Sequence, residues 1–349
     1  MDYPGEKIVL KMWETLIEKG IGSLLEPWQT IRQGKAAIEV RREEMLMLAQ
    51  AERDVDDVRA GRKVLNSEGR LVGVDYDSEI SHHATRPLGR VEPVLGLEQA
   101  VAKIDASDAA DKVRREINTS KAIIYAEQEL LIDNNPQSSE KIEDDWLTIW
   151  KDYSARVSVE DLQRLWGSVL AGEIKAPGKY SLRTLEFLKV LSKKEAALIS
   201  KVAPFVIGGV IPRESFDYLW SQGMTFGQLM HLQTIGILQG LDSLGLEKIY
   251  VSAKQDRFAA VLNSHGRCLL VEHEDSQKSF SLEVCAVTHV GAQLIELGNF
   301  KHDEAYLREL GIHLLAQGYK ASICDWEQVT ESQGACINQE IITVSSHDN

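Results

Sequence analysis

The chain has 349 residues, 44% of them hydrophobic and 26% charged, with a formal net charge of −14. At roughly 100–200 residues per domain this length allows two or three domains, and the composition is that of a protein with a packed core rather than a disordered chain. So acidic a surface repels phosphate backbones and anionic lipid, which argues against whole-chain binding to nucleic acid or membrane.

The predicted elements fall into five stretches. Residues 1–60 read as a helical arm. Glu6–Lys19 is an amphipathic helix with Ile8, Leu10, Trp13, Leu16 and Ile17 on one side, and Gly20, Gly22 and Pro27 interrupt it. A long charged helix follows over Ile31–Arg59. Its Ile38, Met45, Leu48, Val55 and Val58 approximate a heptad with a fault at Glu52, a candidate coiled coil. Residues 61–110 carry scattered glycines and prolines and read as an extended connector, with one strand at Arg70–Tyr76. A helix is expected to resume near Asp108 and run to Leu131.

Residues 111–206 are predicted to form a central helical bundle. Trp146, Ile149, Trp150 and Tyr153 stripe a helix over Ile142–Ser154. Ser158 with Asp161 predicts a capping box for a helix over Val159–Ala171, stopped by Gly172, with a turn at Pro177-Gly178. Ser181–Leu191 is the next helix, and Ser192 with Glu195 opens another over Lys193–Ala203. Residues 207–340 read as a small α+β module. Helices are expected at Pro212–Trp220, Thr225–Ile235, His289–Leu297 (capped by Thr288) and Asp303–Gln317. Strands are expected at Leu246–Ser252, Arg267–Glu272, Ser279–Val287 and Tyr319–Val329. Residues 341–349 form a loose tail. The expected fold is therefore mainly α: a long N-terminal helix, a central bundle and a winged-helix-like C-terminal module.

Candidate chemistry is sparse. Cys268, His273, Cys285 and His289 come in an order that suits zinc, but their spacing is irregular and no Cys-x-x-Cys pair is present; buried thiols in strands account for the cysteines better. Glu140, Glu143, Asp144 and Asp145 precede Trp146 and offer the clustered acids of metal-dependent hydrolases, although acids at a helix start are favoured by the helix dipole alone. Glu173 and Arg183 are expected to form an ion pair that locks the Gly172–Ser181 turn. His82-His83 reads as a solvated loop pair. Gln228, His231, Gln233 and Thr234 line a candidate recognition helix that carries no arginine or lysine to meet phosphates. Gly-x-Ser-x-Gly, His-Glu-x-x-His and phosphate-loop patterns are absent, so no catalytic residue, cofactor or metal is expected.

The stretch Leu165-Trp166-Gly-Ser-Val-Leu-Ala-Gly172-Glu173, then Pro177-Gly178, Ser181-Leu-Arg183-Thr-Leu185 and Leu191-Ser192-Lys-Lys-Glu-Ala196, resembles the bacterial family catalogued as domain of unknown function 2806. The likeness extends to Gly22–Pro27 and Ala36–Arg59 and covers roughly Arg114–Ala203. A looser likeness, in the Leu-Trp and Leu-Ser-Lys pattern alone, links the chain to abortive-infection alpha-type proteins of phage defence. Neither resemblance brings catalytic residues.

The expected function is a non-enzymatic interaction or regulatory protein, in phage defence or stress response, that forms homo-oligomers through its N-terminal helices. Trp13 and Trp28 flank an amphipathic segment that serves oligomerisation better than membrane attachment, because Glu14, Glu18 and Glu26 are interspersed. The alternatives are a DNA-binding regulator and a metal-dependent nuclease or hydrolase. No signal peptide is evident, since charged Glu6, Lys7 and Lys11 follow Met1–Pro4, and a cytoplasmic protein with reduced thiols is expected.

Overall fold

The computed structural model describes residues 5–25, 37–66, 70–73, 97–132, 140–242, 246–328 and 334–343. The segment 26–36, the bulk of the connector with His82-His83, and the tail from 344 onward lie outside the described residues. The chain divides into two compact units, Met1–Leu182 and Arg183–Asn349.

The first unit is helical apart from one small hairpin. Helix α1 (Glu6–Glu18) buries Ile8, Val9, Met12, Trp13 and Leu16, whereas Leu10 and Ile17, expected on the same face, are exposed. Helix α2 (Ala37–Arg59) leads into strands β1 (Lys63–Leu65) and β2 (Leu71–Gly73), an antiparallel pair. Helix α3 (Leu97–Leu131) is eleven residues longer at its start than the Asp108 boundary expected from the sequence. Helices α2 and α3 run antiparallel, tied by Arg59–Asp111 (2.9 Å), Arg114–Asp56 and Lys121–Glu52 (2.8 Å). Glu52, the fault in the apolar repeat, therefore has a partner. It sits in line with buried Leu48 and Val55, and Lys121 meets it from α3. Beyond Arg59 the first three turns of α3 continue past the end of α2.

Helix α4 (Asp144–Ser154) and helix α5 (Glu160–Lys175) complete this unit. Tryptophans fill its core, and two of them send their N–H groups to main-chain acceptors. Trp150 Nε1 donates to the Trp166 carbonyl (2.9 Å), and Trp146 Nε1 donates to the Tyr180 carbonyl (2.7 Å). Gln163 donates to Asn118 and to the Val157 carbonyl, so this buried polar pair is satisfied. Two expectations for α5 fail. Its N-cap is Val159 with no side-chain cap, so Ser158 does not open it, and it runs through Gly172 to Lys175. Glycine at 167 and 172 instead permits close approach. A Cβ at Gly167 would lie 2.8 Å from the Ala122 carbonyl oxygen of α3, and one at Gly172 would lie 2.5 Å from the Tyr180 ring.

The second unit is where the mainly-α expectation is overturned. Of the structure, 56% is helical and 20% strand, and the chain is a mixed α/β protein. Helices α6 (Leu182–Val190) and α7 (Lys193–Val202), read in the sequence as the end of the bundle, fall in this unit. The α7 capping box forms as expected: Ser192 Oγ accepts from Glu195 N (3.2 Å), and Glu195 Oε2 accepts from Ser192 N (2.8 Å). Strand β3 (Val210–Pro212), helix α8 (Phe216–Ser221), helix α9 (Phe226–Thr234) and strands β4 (Leu238–Gln239) and β5 (Leu246–Tyr250) follow. Then come β6 (Phe258–Ser264), β7 (Arg267–His273), β8 (Phe280–Val287), α10 (His289–Leu297), α11 (Glu304–Ala316), β9 (Lys320–Gln328) and β10 (Gly334–Ile341).

Two antiparallel sheets result. One has the order β10-β9-β7-β6; in the other β8 pairs with β3, β4 and β5. Helix α11 lies against the first sheet, its Gly311 close to Leu269 and Ala321. Phe258, Phe280, Tyr319 and Tyr250 form an aromatic cluster with ring centroids 4.8–5.8 Å apart along the chain of contacts. With two four-stranded sheets this unit is no small winged-helix appendage.

Candidate functional site

The family-like motif converges on the turn after α5. Gly178 takes φ +83°, a conformation glycine tolerates and other residues resist, and this folds the chain back on the helix end. Glu173 organises the turn. Its Oε1 accepts from Gly178 N (2.5 Å) and its Oε2 from Tyr180 N (2.9 Å), while the residue is only 2% exposed. Tyr180 is buried, lays its ring on Gly172, and gives its carbonyl to Trp146. Trp166, also buried, gives its carbonyl to Trp150. Gly172, Glu173, Gly178 and Tyr180 thus hold one another in place. A cavity of about 240 Å³ opens beside the turn, lined by Glu140, Glu143, Trp146, Glu173, Pro177 and Ser181 among others.

Burial raises the Glu173 carboxyl above its ordinary value, with a further push from Glu143; the two amide donors and Lys179 oppose it. The expected partner Arg183 is exposed at the start of α6, in the other unit. Backbone amides, rather than a guanidinium, occupy both carboxylate oxygens.

The other sequence candidates disperse. Glu140, Glu143, Asp144 and Asp145 are exposed at the start of α4, and Asp144 pairs with Lys19 (2.7 Å). The zinc set separates: Cys285 lies on β8 and meets the Gln239 carbonyl, His273 accepts from Asp275 N, and His289 contacts Gln293. On α9 the four candidate base readers are engaged within the unit. Gln228 closes a capping box with Thr225, His231 faces Glu195 (3.6 Å), Gln233 accepts from Leu241 N, and Thr234 donates to the Met230 carbonyl.

One grouping escaped the sequence reading. Cys268 on β7 stands directly opposite Cys324 on β9, and Cys336 on β10 opposes Trp326, two residues on along the same face. Among the described residues these three cysteines are the group of His, Cys, Asp or Glu side chains whose ligand atoms converge, all within 4.8 Å. The signal was available only through strand register, because the three cysteines stand on three different strands and form no Cys-x-x-Cys spacing.

Fold and site together define a two-unit α/β chain whose helical unit closes on a carboxylate-capped turn. Residues 111–210 match the family model described as protein of unknown function (DUF2806). The match contains the whole Glu173 turn. No curated protein and no solved structure matches the chain, and the likeness to abortive-infection proteins is not shown. Among the described residues, no helix is long and apolar enough to cross a membrane.

Proposed function

We propose that the protein is a non-enzymatic interaction protein that assembles with copies of itself through the helical N-terminal unit. The observation that carries this reading is the start of α3, where the helix continues past the end of α2 with Val101 and Ile104 one turn apart and 54% and 58% exposed. A helix turn in water without tertiary packing is marginal, so apolar side chains on such an extension gain most from a partner helix. The engagement of the Glu173 turn in its own backbone bonds supports placing function in the arms rather than in the motif. The second unit serves as the surface for a different partner, supported by Ile249 and Val251, 63% and 70% exposed at the end of β5.

Light scattering tests the assembly. The 39.0 kDa chain is expected to give a multiple of its own mass, and Val101→Glu with Ile104→Glu is expected to weaken association at least about tenfold. A wild-type mass of one chain at all concentrations, or an assembly indifferent to the double substitution, would overturn the proposal.

A further inference from the structure

We propose that Cys268, Cys324 and Cys336 form a binding site for a single soft, thiophilic metal cation held by three thiolates. The site lies on one face of the β10-β9-β7-β6 sheet, and the register explains it: Cys268 is opposite Cys324, and Cys336 leans in from the far side of β9. Cys268 Sγ and Cys336 Sγ are 3.5 Å apart, and all three sulfurs lie within 4.8 Å. A metal–sulfur bond of about 2.3 Å requires sulfur separations of about 3.8 Å in tetrahedral geometry and about 4.0 Å in a trigonal plane, inside the observed range.

Three of the chain's four cysteines meet here from separate parts of the sequence. The donor set is all sulfur, which selects Zn²⁺, Cd²⁺ or Cu(I) over Mg²⁺ or Ca²⁺. A disulfide between Cys268 and Cys336 is the competing use. Their strands flank β9 and do not pair with each other, and the mass of the untreated protein separates the two uses. Access comes from Cys336, which is half-buried on the outer strand while the other two are buried.

The coordination step is a proton exchange. Three thiols release their protons to solvent as three sulfur–metal bonds form, with no oxidant or reductant. Because each thiol must lose its proton to bind, affinity is expected to rise with pH.

The test adds Cd²⁺ alone to the reduced full-length chain and follows thiolate-to-cadmium ultraviolet absorbance and native mass. One ion per chain is expected. Cys336→Ser is expected to weaken binding at least about tenfold, and Cys285→Ser, in the other sheet, to leave it unchanged. Excess Mg²⁺ should not displace the ion. Absence of binding, retention in Cys336→Ser, dependence on Cys285, or displacement by Mg²⁺ would overturn the proposal. So would loss of two hydrogen masses by a Cys268–Cys336 disulfide in the untreated protein. If Cys336→Ser does not fold, alkylation of the wild type decides: Cd²⁺ must protect Cys268, Cys324 and Cys336 together, and unequal protection contradicts the site.

Discussion

Glu173 and Gly172 carry the helical unit's most specific local instructions. Removing the carboxylate in Glu173→Ala leaves the Gly178 and Tyr180 amides without their acceptor, at a cost of about 1–3 kcal/mol. The pH dependence identifies what holds the acid. Its folded pKa is raised above the ordinary 4.5, so between 4.5 and that raised value the folded state binds more protons than the unfolded one. The group's titration therefore stabilises fully below 4.5, and this contribution is lost as pH rises through the folded pKa. Urea titrations from pH 4 upward should find the gap between wild type and Glu173→Ala narrowing with pH. An ion pair with Arg183 would lower the pKa and give a gap that widens. Gly172→Ala should cost about 1–3 kcal/mol, because the new methyl collides with the Tyr180 ring. That penalty should shrink in a Tyr180→Leu background, and equal penalties in both backgrounds would refute the close-approach role.

At the scale of elements, side chains that cap and pair decide where helices begin and how they meet. Ser192→Ala should lower stability by about 1 kcal/mol through loss of its capping box, measured as a fall in the thermal midpoint. Glu52 and Lys121 should behave as a coupled pair. Either single change to leucine should cost about 1–2 kcal/mol, whereas the double change should be close to neutral; additive losses would contradict the coupling.

The same elements mark what was legible in the sequence. Thr288 announced α10 with its observed bounds, and Ser192 announced α7, because a cap is a local hydrogen bond written in adjacent residues. Strand β6 was not legible: its Phe-Ala-Ala-Val run is buried nearly throughout and shows no alternation. In β10 the irregularity between Ile337 and Glu340 breaks the period, with Asn338 at φ +53°. Missing those two strands hid half of one sheet and with it the mixed α/β class. Gly172 was misread as a stop because a glycine that ends a helix and one that admits a neighbouring ring are the same letter. Glu173 was recognised as the lock of its turn, but its partners are main-chain amides, which no residue identity announces.

At the scale of the whole molecule, the stretch that matches the family model and the proposed assembly surface are separate parts of the chain. Residues 111–210 contain the Glu173 turn, while Val101 and Ile104 precede the matched stretch. Disturbing the turn should therefore lower stability without changing the mass of the assembly at temperatures where the variant stays folded. The cysteine triad belongs to the other unit, and its occupancy should leave that mass unchanged as well.

The most direct measurement of the central claim is amide hydrogen exchange at the start of α3, across a range of protein concentrations. If the exposed apolar turns are an assembly surface, exchange over residues 97–108 should slow as concentration rises and association covers them, while exchange in β6 and β7 stays constant. Exchange at 97–108 that is independent of concentration, in a sample whose mass shows association, would contradict the account by placing the interface elsewhere.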